Sequence, residues 1–187
     1  MRGAEAVVKV VEFIGHRAVC KSRVPKAYRV GALDRRLRAE RTRVEARLLN
    51  RAKLAGVSCP TVLMVDEFEL VMSFVEGSRP RMDAGEAREA GSMLAKLHRE
   101  DIIHGDFTPA NIIMHGKSMT VIDFGLGFVS NDIEDKAVDV FTMQRALGES
   151  GNAGSVEAFI AGYMEYPKAE KVLARVKEVE KRVRYAF

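Results

Sequence analysis

The sequence predicts an α+β fold in two lobes: a small β-rich N-terminal lobe with one long helix, then a reduced and mainly helical C-terminal lobe. Three observations predict this fold class. Two β-rich runs surround a turn centred on Gly15, which is typical of a β-hairpin. Residues 33–55 carry a single apolar stripe at helical spacing. After Gly127 the chain has mainly helix-forming composition, interrupted near residues 148–154.

Shorter elements complete the expected order. They are two strands, a helix and a second hairpin, at 61–65, 70–75, 84–97 and 112–122. We place the N-terminal lobe at 1–76, with the nucleotide cover, and the C-terminal lobe at 77–187, with a catalytic loop, a metal site and a basic tail. Two lobes of such different composition predict a cleft where they meet.

Composition indicates an ordinary globular domain. The chain has 187 residues, of which 47% are hydrophobic and 30% charged, which is enough for one core. No apolar run approaches the ~20 residues of a membrane-spanning helix, and the start of the chain does not resemble a signal peptide. Cys20 and Cys59 lack metal-type spacing. We therefore expect two free thiols, a cytoplasmic protein and no membrane partner.

Basic residues are concentrated in two parts of the chain, although the net charge is only +4. One basic group covers residues 17–53 and the other covers 177–184. A local positive field attracts polyanions such as ATP or RNA. A solvated helix face gives the same pattern, so both interpretations stay open.

The segment from His104 to Gly125 carries the chemistry. It reads HGDFTPAN and then, twelve residues after Asn111, DFG, which resembles the catalytic loop and metal-binding motif of kinases. Phosphoryl transfer needs a carboxylate beside the attacking hydroxyl, and Asp106 is the candidate catalytic residue. Mg²⁺ or Mn²⁺ requires oxygen ligands, which Asn111 and Asp123 can supply. We expect the first histidine of the segment to hold the loop rather than to react.

The N-terminal lobe should supply the other half of an ATP site. Lys21, on the second predicted strand, resembles the strand lysine of kinases, so we expect it to contact the α- and β-phosphates as a second catalytic residue. A glutamate of the following helix should hold this lysine. Glu40 and Glu45 are both on that helix, and we favour Glu45.

Two further parts of an ATP site are predicted: the hinge that binds adenine and the cover over the phosphates. The connection from Met72 to Val75 is the expected hinge, where backbone groups of Ser73 and Val75 would meet the adenine edge. A complete glycine-rich phosphate loop is absent, and only Gly3 and Ala4 stand at the start of the chain as a short cover. The sequence also lacks the GxxxxGK[ST] pattern of P-loop enzymes.

Several segments together resemble one family, the small atypical RIO-like kinase subunit of the KEOPS complex. They are GAEA at 3–6, PKAYR at 25–29, RTRVEAR at 41–47, LH at 97–98 and HGDFTPAN at 104–111. The resemblance implies a two-lobed ATP-dependent Ser/Thr kinase with ATPase activity. It implies as partners the threonylcarbamoyltransferase subunit and other KEOPS subunits, and tRNA through the complex, which forms threonylcarbamoyladenosine at position 37. It also implies a Lys21–Glu45 ion pair. The C-terminal tail matches the family's basic tails only in part.

Residues around and after the motif narrow the substrate class. No A-P-E sequence follows Gly125, so we expect no large peptide-docking platform. Gly105 stands where many kinases have an arginine that contacts an activation-loop phosphate, which argues against control by loop phosphorylation. Asp139 is a candidate to hold the catalytic loop, with a helix-surface charge as the alternative. Two other functions stay open: a small-molecule kinase of the aminoglycoside or choline type, and a non-catalytic ATP-binding module.

Overall fold

The computed structural model of the protein describes residues 6–152 and 154–185. The N-terminal lobe contains β1 (Ala6–Phe13), β2 (His16–Arg23), α1 (Gly31–Leu54), β3 (Val62–Val65) and β4 (Glu69–Ser73). The C-terminal lobe contains α2 (Ala84–Arg99), β5 (Ile102–Ile103), a 3₁₀ turn (Pro109–Asn111), β6 (Ile112–His115), β7 (Ser118–Val121), β8 (Phe128–Val129), α3 (Ile133–Ser150), α4 (Ser155–Tyr163) and α5 (Ala169–Tyr185). The predicted α+β fold is confirmed. The predicted lobe boundary at 76/77 falls between β4 and α2 and stays a prediction.

The N-terminal sheet places β2 at its centre. Its four strands are antiparallel in the order β1-β2-β4-β3. The predicted hairpin turns at Ile14 and Gly15, whose φ angles are both positive, as in the tight turns that match strand twist. Lys21 and Arg23 are two residues apart on β2, so their side chains leave the same face of the sheet, and both are buried.

Helix α1 buries one face against the sheet. Its buried residues recur at helical spacing and include Thr42, Glu45, Leu49 and Ala52. The helix begins two residues before the predicted start and ends at Leu54, and Gly56 follows with a φ of +77°. Because Glu45 is on the buried face, its carboxylate must find partners inside the protein.

Helices α2 and α4 pack closely because small residues lie at their contact. A Cβ atom on Gly91 would lie 2.1 Å from the Phe159 carbonyl oxygen, and one on Gly162 would lie 2.0 Å from the Arg88 carbonyl oxygen. Any larger residue at either position would push the two backbones apart. Helix α2 in turn contacts β5, just before the catalytic segment, and β7 within it.

Two small antiparallel strand pairs, β5–β8 and β6–β7, hold the catalytic segment together. Ile103 of β5 lies opposite Phe128 of β8, so the chain leaves and returns at the same place. Within the segment, β6 and β7 form the second predicted hairpin. The expected mainly helical chain after Gly127 is confirmed by α3, α4 and α5, and the short strand β8 was not predicted. A two-residue strand has no periodicity to read, and it forms only because Ile103 is there to pair with it.

Within the described ranges, none of the helices combines the length and apolar character needed to cross a membrane. Cys20 and Cys59 are free thiols, as predicted. Burial raises the pKa of the Cys59 thiol to about 11, so it is a protonated core group near neutral pH.

Candidate active site

Asn111 holds Asp106 within the catalytic loop. The Asn111 side-chain nitrogen donates to the Asp106 carboxylate and to the Asp106 backbone carbonyl, both at 2.8 Å. Asn111 ends the 3₁₀ turn, five residues after Asp106 on the same loop. The Asn111 amide nitrogen is thus engaged, which leaves its oxygen as the group that could face a metal ion.

Asp139 fixes the start of this loop from the core of the lobe. Its carboxylate accepts hydrogen bonds from the backbone N–H groups of His104 at 2.6 Å and Gly105 at 2.8 Å. Asp139 is only 1% exposed, so the alternative of a helix-surface charge is wrong. His98 lies 3.4 Å from the same carboxylate and contacts the Tyr163 hydroxyl at 2.7 Å. Asp139 is therefore itself held in place.

His104 has a structural position, as its predicted role requires. Its Nε2 lies 3.1 Å from the Ile122 carbonyl oxygen, and its Nδ1 accepts from the Asp106 N–H at 3.3 Å. These partners assign a neutral ring with its proton on Nε2. Burial lowers the pKa of His104, although the Asp139 carboxylate opposes this. The ring also contacts Phe124 at 4.7 Å between centroids, so it joins the catalytic loop to the DFG segment.

Asp123 is positioned by the hairpin that precedes it. The Ile122 N–H donates to the Asn111 carbonyl at 2.9 Å, so the two predicted metal ligands are on adjacent, hydrogen-bonded backbone. Asp123 has a φ of +61°, a left-handed conformation that costs about 1 kcal/mol for a non-glycine residue. Such a cost is typical of residues held for function.

Lys21 reaches Asp123 across the cleft. Its Nζ lies 2.6 Å from Asp123 Oδ1, and the Gly125 N–H donates to the same oxygen at 3.1 Å. Burial acts to raise the pKa of Asp123, but the Lys21 charge and these two hydrogen bonds outweigh it, and the pKa is lowered. The carboxylate therefore stays ionised at neutral pH, as a metal ligand must.

Lys21 also contacts Glu45, the favoured helix glutamate. Lys21 Nζ lies 2.7 Å from Glu45 Oε1, whereas Glu40 is exposed. The second carboxylate oxygen, Oε2, lies 2.6 Å from Nη2 of Arg23. Arg23 was not among the site residues predicted from the sequence. Its position two residues after the lysine, on the same strand face, is the signal that could have identified it.

Gly125 is required where the two lobes meet. A Cβ atom there would lie 2.7 Å from Lys21 Nζ and 2.9 Å from Asp123 Oδ1. A side chain at this position would occupy the space in which the lysine and the aspartate meet.

The predicted adenine contacts lie at and after the end of β4 and stay predictions. Met72 is buried in β4, and the Ser73 N–H donates to the Thr61 carbonyl at 2.8 Å. The Ser73 amide is therefore used within the sheet, and its carbonyl is the group left for adenine. Val75 follows the end of β4 and stays a prediction. Gly3 and Ala4 lie outside the described residues.

The donor set fits a hard cation that is shared with a nucleotide. The described residues contain no group of three or more His, Cys, Asp or Glu side chains placed to hold a metal ion. Mg²⁺ is commonly held by one or two protein oxygens together with substrate phosphates. Asn111 and Asp123 offer an amide oxygen and an ionised carboxylate, which suit such a site.

The basic group of α1 is partly neutralised. Arg35 forms a two-point ion pair with Glu67, and Arg38 contacts Asp34 at 2.7 Å. Arg36, Arg43 and Arg47 line an open groove of about 520 Å³ on this face, together with acidic side chains. None of the predicted catalytic residues lines it. The choice between a polyanion surface and a solvated helix face therefore stays open.

Similar solved structures indicate the fold class of the protein. The protein is similar to the Rio2 kinase of Chaetomium thermophilum in an ADP/Mg²⁺-phosphoaspartate complex, with a TM-score of 0.68 and 17% identity over 97% of this chain and 70% of that chain. It is also similar to the macrolide 2′-phosphotransferase of Brachybacterium faecium, with a TM-score of 0.64 and 17% identity over 92% of this chain and 79% of that chain. At such identity these similarities show a protein-kinase-like fold and nothing finer.

Sequence comparisons define the family. A model of the RIO domain matches residues 21–143. A probable serine/threonine-protein kinase BUD32 homolog of Archaeoglobus fulgidus is 42% identical over 98% of this chain and 94% of that protein. The chain therefore belongs to the RIO-domain family and, within it, to the Bud32 homologues, which confirms the resemblance found in the sequence. A probable bifunctional tRNA threonylcarbamoyladenosine biosynthesis protein of Methanosarcina mazei is 40% identical over 98% of this chain, which spans 35% of that protein.

Proposed function

We propose that this protein is an ATP-dependent atypical Ser/Thr kinase and ATPase that acts in the cytoplasm within a KEOPS-type complex. That complex would form threonylcarbamoyladenosine at position 37 of tRNA. One observation carries the catalytic part: Lys21, on the N-terminal sheet, contacts Asp123 of the C-terminal lobe at 2.6 Å, which joins the two halves of a phosphotransfer site. The names of the relatives support the biological setting.

Each residue has a defined task in the proposed reaction. Asp106, held by Asn111, orients the attacking hydroxyl or water and accepts its proton. Lys21 holds the α- and β-phosphates. Asn111 and Asp123 would bind Mg²⁺ or Mn²⁺, and Mg-ATP when bound supplies the phosphoryl group and the charge of the metal. Glu45 keeps Lys21 directed at the cleft, since it accepts from the lysine inside the protein.

Adenine recognition belongs to the end of β4 and the residues that follow it. We assign it to Met72, the Ser73 carbonyl and the Val75 backbone, with Gly3 and Ala4 covering the phosphates. The proposed partners are the threonylcarbamoyltransferase subunit, other KEOPS subunits and, through them, tRNA. The bifunctional relatives, of which this chain matches about a third, support a second activity acting beside the kinase.

ATP turnover measured in three settings tests this proposal. The purified protein is assayed alone, with the partner transferase, and with the transferase and tRNA, beside an Asp106→Ala variant of equal thermal stability. We expect the variant to lose turnover by at least about 100-fold in every setting where the wild type is active. Equal turnover in both proteins would contradict the catalytic assignment. Mg-ATP binding without hydrolysis in all settings would favour a binding module, and a strong hit in a metabolite phosphorylation screen would favour a small-molecule kinase.

A further inference from the structure

Arg23 is a buried cation that none of the catalytic tasks above uses. Its side chain is only 4% exposed, and it contacts Glu45, whose side chain is 2% exposed, at 2.6 Å. The two oxygens of one carboxylate are thus divided between two cations, Lys21 on Oε1 and Arg23 on Oε2. A buried arginine is costly unless it has a partner, so its place beside this particular glutamate requires an explanation.

The backbone of Arg23 makes further contacts that fix its position. Its N–H donates to the Phe68 carbonyl at 2.9 Å, next to β4. Its carbonyl accepts from Arg38 Nη1 at 3.1 Å, and Arg38 in turn contacts Asp34 in the first turn of α1. Arg38 and Glu45 are two turns apart on α1, which is about 10 Å along the helix axis. A single residue of β2 therefore contacts α1 at two separated points.

The two cations that contact Glu45 differ in their other tasks. Lys21 is shared between Glu45 and Asp123, and in the proposed site it also contacts nucleotide phosphates. One lysine therefore divides its charge among several anions. Arg23 contacts the second oxygen of Glu45, which gives this buried carboxylate a further cation.

We propose that Arg23 is a positioning residue that holds Glu45, and with it α1, against the sheet independently of Lys21. The proposal deepens the proposed function, because it concerns the same site. It means that α1 keeps its place against the sheet when the contact between Lys21 and Glu45 is removed.

Hydrogen–deuterium exchange of α1 in the full chain tests the proposal without relying on activity. We expect Arg23→Met to reduce the protection of amides around Glu45 by about tenfold, because the carboxylate loses the cation that anchors it. Lys21→Met should leave that protection within about twofold of wild type, while it removes Lys21 from the proposed ATP site. Arg35→Met is the matched control: an exposed α1 arginine, also paired with a glutamate, whose loss should change protection by less than about twofold.

Two comparisons separate positioning from a general loss of stability. Arg23→Lys keeps the charge and should restore part of the protection. In a Glu45→Gln background, Arg23→Met should have little further effect, since residues that act through one contact are non-additive. Equal loss of protection in Lys21→Met and Arg23→Met would overturn the proposal, and the Lys21→Met result is decisive even if Arg23→Met does not fold. Failure of the proposed function would appear differently, as equal ATP turnover in wild type and Asp106→Ala.

Discussion

Asp106 and Asn111 in the C-terminal lobe are five residues apart on one loop, whereas Lys21 and Glu45 in the N-terminal lobe meet across 24 residues of chain. The first pair is held by backbone geometry, because Asp139 accepts from two consecutive amides. The second pair is held by side-chain ion pairs between separate elements. We therefore expect the catalytic loop to be rigid, because backbone hydrogen bonds hold it. The geometry of the N-terminal half should instead depend on a few charged side chains that single substitutions can remove.

The largest effect is expected where the two halves meet. Gly125→Ala places a Cβ atom in the space shared by Lys21 and Asp123, so ATP turnover should fall by about 100-fold. Gly148→Ala is the control, because a Cβ there meets nothing within 4 Å. Steady-state turnover of both variants, at matched fraction folded, makes the measurement. Equal turnover in the two variants would mean that the junction is not part of the site.

The second prediction concerns Asp139, the buried acceptor that holds the catalytic loop of the C-terminal lobe. Asp139→Asn leaves one of the two loop amides without its acceptor, which should lower the free energy of unfolding by about 2 kcal/mol. Asp135→Asn, on the same helix and only partly buried, makes the same chemical change and should cost less than about 0.5 kcal/mol. Urea denaturation of both variants measures the difference. Similar values for the two would show that Asp139 does not anchor the loop.

Lowering the pH should also reduce the stability of the protein, through two buried histidines of the C-terminal lobe. Burial lowers the pKa of His98 and His104 below 6.5, against the opposing effect of Asp139. Below pH 6.5 the unfolded chain then binds more protons than the folded protein, so stability present above this pH is lost as pH falls. Each histidine contributes at most about 1.4 kcal/mol per pH unit.

Denaturation midpoints at pH 7.5, 6.5 and 5.5 measure this slope. His115→Gln, which removes an exposed histidine, should keep the wild-type slope, whereas His104→Gln should reduce it. A wild-type stability that does not change between pH 7.5 and 5.5 would contradict the neutral, buried state of both rings.

The smallest effect is expected from an exposed ion pair of the N-terminal lobe. Arg35→Met breaks the two-point contact with Glu67, but both side chains reach solvent. The free energy of unfolding should fall by less than about 0.5 kcal/mol at low salt, and this difference from wild type should shrink at high salt. Thermal denaturation at low and high salt checks this. A loss as large as that of Arg23→Met would show that burial does not distinguish the two arginines.

The C-terminal half could be predicted from the sequence because its chemistry is local. The segment from His104 to Gly125 has a fixed order of residue types, and the intervening hairpin is visible as two short apolar runs. Asp139 could be named only as a candidate, since its contact with the loop depends on the fold of α3. The β5–β8 ribbon was missed because two residues carry no pattern.

The N-terminal half could be predicted only with the help of resemblance. Nothing in composition separates Glu40 from Glu45; the structure separates them because Glu45 shares a buried face with Thr42 and Leu49. Arg23 was missed because an arginine in a basic stretch reads as a surface residue. The steric requirement at Gly125 arises from contacts across the cleft, which no local pattern contains.

The Mg²⁺ dependence of ATP binding tests most directly whether the two halves form one site. Titration calorimetry with and without Mg²⁺ would compare wild type, Asp123→Asn and Lys21→Met. In the proposed site, the C-terminal half binds the metal ion and Lys21 binds the phosphates. Mg²⁺ should therefore strengthen ATP binding in wild type and in Lys21→Met, and this gain should vanish in Asp123→Asn. An equal gain from Mg²⁺ in Asp123→Asn and in wild type would contradict the assignment of the site.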